Sequence, residues 1–206
     1  NPRETCIRKA LRMVHPDIHF VFPTAATSGI KTKPTSNDFL NKWRGFVSEQ
    51  PFGSLYNWMR YLEAENKQGI INVNDALSVI EKVRFKSFEG GWKCVIIWHA
   101  EKLTLAASNK LLKSIEEPPA KTLFILLCPD AYKLIATIRS RCQRTRFGGV
   151  EQNLIAQHLE KKGVARTLSA AVASQSKGNV GKALELVGQQ NELAQYEDWF
   201  VAWVRT

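Results

Sequence analysis

One stretch, Trp92 to Cys128, constrains this chain more than any other. Two short apolar runs, Trp92–Trp98 and Thr122–Cys128, flank Leu105–Glu117, in which Leu105, Ala106, Leu111, Leu112 and Ile115 recur at helical spacing. Short, nearly continuous apolar runs suit strands covered on both faces, and Pro118-Pro119 stops the helix between them. A strand–helix–strand unit of this size pairs its strands in parallel through a crossover. Ile18–Phe22 supplies a third run. Val73–Phe85, with Asn74 or Asp75 as N-cap, reads as a helix entering the second strand after a turn at Gly90-Gly91. The fold class is therefore α/β, with a parallel sheet flanked by helices.

After the third strand a short helix, Tyr132–Arg139, leads into Arg139, Arg141, Arg144 and Arg146, and Gly148-Gly149 closes this part. Gln152–Lys162, Ala165–Ser174 and Val180–Val187 then read as three small helices. Residues 192–204 read as a further helix. Asn1 is not an initiator, so a fragment of a longer protein is expected. Residues 26–69 break the strand–helix rhythm. A Thr/Ser/Lys/Pro-rich loop, Thr24–Asn37, precedes two amphipathic helices, Asp38–Glu49 and Leu55–Glu65. This is read as a surface insertion. Its Trp43, Phe46, Trp58 and Tyr61 are expected to pack the two helices against each other.

With 44% hydrophobic and 23% charged residues, the chain is neither disordered nor a disulfide miniprotein. The net charge of +10 resides entirely in residues 1–150, which hold 23 Lys+Arg against 13 Asp+Glu. Such a surplus points to a polyanionic or electrostatically steered partner. A basic enzyme without such a partner remains the alternative. Cys6, Cys94, Cys128 and Cys142 have no zinc-ribbon or redox-pair spacing. Cys94 and Cys128 read as small buried hydrophobes, and the pattern suits a reducing, cytosolic setting. No apolar stretch is long enough to span a membrane. Cys6, His15, Asp17 and His19 have metal-ligating chemistry, but Pro16 interrupts helical pairing of the histidines; a metal-free reading is preferred.

A basic parallel α/β chain first suggests a nucleotide-binding enzyme. The Gly-x-x-x-x-Gly-Lys-Ser/Thr loop does not occur in these 206 residues, and an upstream position stays open. The strand end after Val95-Ile96-Ile97 should carry a magnesium-binding Asp and a catalytic Glu, but Trp98 and His99 stand there. Neither can shield phosphate charge through a metal.

The motifs resolve the ambiguity. Leu103-Thr104, Asn109 and Leu111-Leu112-Lys113-Ser114-Ile115-Glu116-Glu117-Pro118-Pro119 resemble a signature of bacterial DNA polymerase III clamp-loader subunits. Thr122–Leu127 and Thr137-Ile138-Arg139-Ser140-Arg141-Cys142 follow at matching distances, and His15-Pro16-Asp17 resembles the delta-prime type in particular. The resemblance covers residues 1–25 and 70–187; the 26–69 insertion has no counterpart in it.

The resemblance implies an AAA+ fold: a sheet domain over 1–149, a three-helix lid over 150–188, and the start of a helical collar over 189–206. It implies a subunit that is no enzyme by itself, although within the holoenzyme it would carry a DNA-directed DNA polymerase label. Such a subunit helps to load the sliding clamp onto primed DNA. Its partners would be gamma/tau and delta subunits, with the clamp contacted indirectly and no membrane involved. No cofactor is expected on this chain; ATP and Mg²⁺ would lie in neighbouring subunits. Degenerate ATPase positions fall at Trp98, His99, at Cys128 (where a polar sensor is expected) and near Gly181 (where a lid arginine is expected). Arg141, with Ser140 and Cys142 as motif partners, stands where the family projects an arginine finger into a neighbour's ATP site. A solvated surface arginine is the plainer reading. Lys82, Arg84, Lys86, Lys102 and Lys110, beside Lys113, lie on or near helices whose family counterparts face DNA. A gamma/tau-type ATPase, a stand-alone DNA-dependent NTPase and a basic DNA-binding module are the competing readings.

Overall fold

The computed structural model describes residues 2–189, which form two units dividing between Gln143 and Arg144. In the first unit, helix α1 (Pro2–Leu11) precedes strand β1 (Ile18–Val21). Helices α2 (Leu40–Glu49), α3 (Leu55–Tyr61) and α4 (Val73–Arg84) then lead to β2 (Lys93–Trp98). Helix α5 (Leu105–Glu116), β3 (Thr122–Leu127) and the short α6 (Ala136–Arg139) complete it. The three strands lie in the order β1-β2-β3, all parallel, with Ile18 opposite Cys94 and Lys93 opposite Thr122. This is the α/β architecture that the apolar runs imply. The second unit is helical, with α7 (Gln152–Lys161), α8 (Arg166–Gln175) and a helical stretch over 180–189. Ile155, Leu159, Val172, Ala173 and Ala183 form its core. The helix expected over 192–204 lies outside the described residues.

Alternation along the strands builds two different cores in the first unit. Val21, Val95 and Ile97 meet Val79 and Val83 of α4 and Leu111 and Ile115 of α5 in an aliphatic core, closed by Leu134 and Ile138. The other core is aromatic. Phe22 stacks on Trp43 with ring centroids 4.3 Å apart, and Trp58 meets Phe22, Trp43 and Phe46 at 5.2 Å each. The indole N–H of Trp58 donates to the Pro23 carbonyl at 2.7 Å, which satisfies its one buried polar atom. The insertion's aromatic residues thus pack not only α2 against α3, as expected, but both helices against strand residues Phe22 and Trp98.

The insertion closes on itself. Thr24 and Ile70 exchange both backbone hydrogen bonds, at 2.9 and 3.0 Å, so the excursion leaves and re-enters at one point. Its first half is ordered by Ser36, whose hydroxyl bonds the N–H and C=O of Phe22, both at 3.0 Å. The Ser36 N–H donates to Asp75 at 2.7 Å. The other oxygen of Asp75 accepts from Asn72 N–H at 3.1 Å, while Asn72 accepts from Asn74 N–H at 2.7 Å. The N-cap of α4 is therefore Asn72, with Asp75 as the reciprocal partner, instead of Asn74 or Asp75 alone. Burial pushes the Asp75 carboxyl upward, against the pull of those N–H donors.

Other expectations shift for physical reasons. The 132–139 helix is split into a 3₁₀ turn at Ala131–Lys133 and α6. The second insertion helix stops at Tyr61, where Leu62 bonds back and Glu63 enters the left-handed region. The expected cover on both strand faces is incomplete at β3, where Leu123 and Leu127 are 49% and 43% exposed. No strand lies beyond β3 among the described residues. Cys94 and Cys128, expected as buried, are half-buried; all four cysteines are free thiols. Lys93, an apparent misfit in an apolar strand, is buried because its ammonium caps the C-terminal carbonyls of α4 at Val83 and Phe85. No helix among the described residues is long and apolar enough to cross a membrane.

Candidate functional site

The C-terminal end of β2 is where a nucleotide-hydrolysing sheet places its carboxylates. Here Trp98 ends the strand and turns its ring into the aromatic core, 5.0 Å from Trp43 and 6.3 Å from Phe46. The adjacent residue, His99, has left-handed backbone (φ 54°, ψ 55°), and its ring stands edge-on to Trp98 at 4.4 Å. Its Nδ1 lies 2.6 Å from a carboxylate oxygen of the buried Glu101. Sequence inspection missed Glu101, which looks like one more charge in a polar turn. It is a carboxylate near the strand end, with Oε1 paired to His99 and Oε2 buried without a hydrogen-bond partner among the described residues. Cys128 follows β3 directly and is half-buried; Gly181 lies in the helical stretch of the second unit.

The Ser-Arg-Cys sequence forms a turn pinned on both sides. Ser140 closes α6 through its N–H to Ala136 at 2.9 Å and its hydroxyl to the Thr137 carbonyl at 3.2 Å. Cys142 packs against the aliphatic core, and burial raises its thiol pKa, with Cys128 adding to the shift. Arg141 stands between these anchors and points outward. Its Nε lies 3.0 Å from Glu116 Oε2, its Nη2 3.4 Å from Glu116 Oε1, and its Nη1 donates to the Thr137 carbonyl at 2.9 Å. Glu116 is the last residue of α5, so the Glu-Glu-Pro-Pro and Ser-Arg-Cys motifs, far apart in sequence, meet at this ion pair.

The basic candidates do not gather in one place. Arg84 and Lys86 line a cleft of about 440 Å³ with Lys93, Pro119 and Lys121, at the end of the sheet where β2 and β3 begin. The exposed Phe85 also lines it. Lys102 lies in the turn beyond the other end of β2, and Lys110 is exposed in the middle of α5. Lys82 is half-buried and donates to Asn37 at 2.6 Å; burial lowers its pKa.

The candidate metal residues divide similarly. Cys6 Sγ lies 3.2 Å and Glu89 Oε2 3.1 Å from His15 Nε2, donor spacings a zinc ion could use. The other ring nitrogen favours the metal-free arrangement. A metal-bound histidine donates its second N–H to an acceptor. Here His15 Nδ1 instead accepts the Asp17 backbone N–H at 3.1 Å, which leaves the proton on Nε2 when the ring is neutral. Lys9 also occupies Glu89. The geometry suits a hydrogen-bonded cluster. Asp17 is elsewhere engaged, its carboxylate accepting the N–H groups of Phe88 and Glu89 at 2.6 and 2.9 Å. His19 sits on β1, its pKa lowered to about 4 by burial and by the nearby Lys82.

A three-stranded parallel sheet flanked by helices, with Trp98 packed at the end of β2 and an outward arginine on a pinned turn, has the architecture of the nucleotide-fold class. Residues 3–151 match the family model described as DNA polymerase III, delta subunit, and the chain belongs to that family, with the AAA+ clamp-loader character its motifs imply. The DNA polymerase III subunit delta' of Yersinia pestis is 46% identical over 81 residues, 39% of this chain and 24% of that protein. The Escherichia coli (strain K12) subunit delta' is 42% identical over 82 residues, covering 40% and 25%. The subunit tau of Bacillus subtilis (strain 168) is 31% identical over 134 residues, covering 62% and 23%. The matched part of this chain spans about a quarter of each of these relatives.

Proposed function

We propose that this chain acts as a non-hydrolysing, delta-prime-like stator in a clamp loader and serves the ATP site of a neighbouring subunit with Arg141. The observation that carries the reading is the placement of Arg141, exposed on a turn that Ser140 and Cys142 hold from either side. A planar guanidinium matches the oxygens of a γ-phosphate in a way that a lysine does not. The loss of the chain's own hydrolysis is supported by Trp98, whose ring is part of the aromatic core, and by His99, which is paired with Glu101. ATP and Mg²⁺ then belong to gamma/tau-type neighbours, with delta, the sliding clamp and primed DNA completing the machine. Arg84 and Lys86 are the predicted DNA-facing cations that share a basic cleft, and their phosphate contacts would be sequence-independent and salt-sensitive.

The test is Arg141→Ala in the full-length subunit, reconstituted with gamma/tau and delta. DNA-stimulated ATPase of the assembly should fall by about tenfold, with folding and co-purification unchanged. Unchanged turnover would count against the finger. The similarity to a tau subunit favours one second reading, a gamma/tau-type ATPase. ATP turnover by the full-length protein alone would select that reading, whereas tight DNA binding without any clamp-loader partner would select a simple DNA-binding module.

A further inference from the structure

From the geometry around Arg141 we infer that Glu116 is a positioning residue for the arginine finger, presetting the guanidinium for a phosphate on a neighbouring subunit. This rests on the finger reading above and deepens it.

A guanidinium carries five N–H bonds: one on Nε and two on each terminal nitrogen. Glu116 Oε1 accepts one N–H of Nη2 while Oε2 lies in ion-pair contact with Nε, and the Thr137 carbonyl takes one N–H of Nη1. One N–H therefore remains on each terminal nitrogen, enough for a two-point contact with a tetrahedral anion. The carboxylate and the carbonyl fix both the plane and the rotation of the group. An unheld arginine of this length would have to surrender rotamer freedom when the anion arrives. With the fork already oriented, that cost falls before the reaction begins.

Glu116 has no obvious reason to be acidic for its own helix. It is the last residue of α5, where the negative end of the helix dipole disfavours a carboxylate. Its side chain is 54% exposed, so it fills no core. Its resolved partner is Arg141. The ion pair is partly solvated and contributes little to stability, which leaves orientation as its main effect. The two motifs that carry the family resemblance are thereby joined into one device, with α5 holding the arginine that α6 presents.

The decisive experiment compares Glu116→Ala, Glu116→Gln, Arg141→Ala and the Glu116→Ala/Arg141→Ala double variant in the full-length subunit, each reconstituted with gamma/tau and delta. Glu116→Ala should lower kcat of the DNA-stimulated ATPase by about threefold, leaving KM for ATP, thermal midpoint and co-purification unchanged. Glu116→Gln, which keeps one acceptor oxygen on the fork, should recover part of that loss. In the double variant the Glu116 change should add nothing to Arg141→Ala, because its effect passes through the arginine. A full kcat with Glu116→Ala, alongside a loss with Arg141→Ala, overturns the positioning role alone. A raised kcat also overturns it, since Glu116 would then be restraining the finger. Additive losses place its effect elsewhere and overturn it too. No loss with Arg141→Ala removes the finger reading itself.

Discussion

The two cores of the first unit sit on the same three strands and obey different rules. The aliphatic core is made of valine, isoleucine, leucine and alanine from α4, α5 and the strands, side chains that fill space without orientation. The aromatic core is made of rings from the insertion seated on Phe22 and Trp98, where centroid distances and ring angles matter. The first positions the motif-bearing helices that lead to Glu116 and Arg141. The second occupies the strand end where a hydrolytic enzyme keeps its carboxylates. The outward arginine and the aromatic end of β2 thus belong to different packing systems, which can change independently.

Trp58→Ala strikes the second system hardest. The residue is fully buried and meets the rings of Phe22, Trp43, Phe46 and Tyr61, so about 4 kcal/mol of stability should be lost, measured by guanidinium denaturation. A single lowered transition would show that both cores melt as one unit. A separate early transition would show that the aromatic layer unfolds alone. Asp75→Ala tests the pin between them, because it leaves the Ser36 and Asn72 N–H groups unsatisfied. A loss of about 2 kcal/mol is expected, and no loss would mean that the insertion is held by its rings alone.

A smaller effect, confined to acid, comes from His19, which shares its strand face with Val21 on the aliphatic side. Its folded pKa of about 4 lies below the ordinary histidine value of 6.5, so the unfolded chain takes up the proton first as pH falls. Stability should be intact above pH 6.5 and decline toward pH 4, by on the order of 2 kcal/mol after allowance for partial exposure. His19→Gln should flatten that decline in a pH series of thermal midpoints; an unchanged slope would assign the acid sensitivity to other groups.

The aliphatic system was largely legible in the sequence, because its signals are local. The apolar spacing of Leu105–Glu117, the stop at Pro118-Pro119 and the three apolar runs all predict elements found within a residue or so of their expected bounds. The aromatic system was not, because the partners of Trp43 and Trp58 lie across the insertion boundary and leave no periodic trace. Asn72 was passed over as N-cap since Asn72, Asn74 and Asp75 all have capping side chains, and only the fold places Ser36 against Asp75. Helix α1 escaped notice because its apolar face is sparse and Ile7 and Leu11 are exposed. At the candidate site, Arg141 and Trp98 were singled out through motif spacing. The tie between Arg141 and Glu116 was invisible, since it joins residues 25 apart.

The paired hydrogen bonds between Thr24 and Ile70 have a consequence for how such a chain can be built. An excursion whose two ends already touch is a cassette: its length is decoupled from the path of the strands, and closing it adds only a slowly growing entropic penalty. Splicing it out with a tight turn leaves β1, α4 and β2 on their original course. What cannot be spliced out is its imprint, since Phe22 and Trp98 would then face water. The host sheet and its passenger are matched at two rings, and those rings mark where the graft has taken.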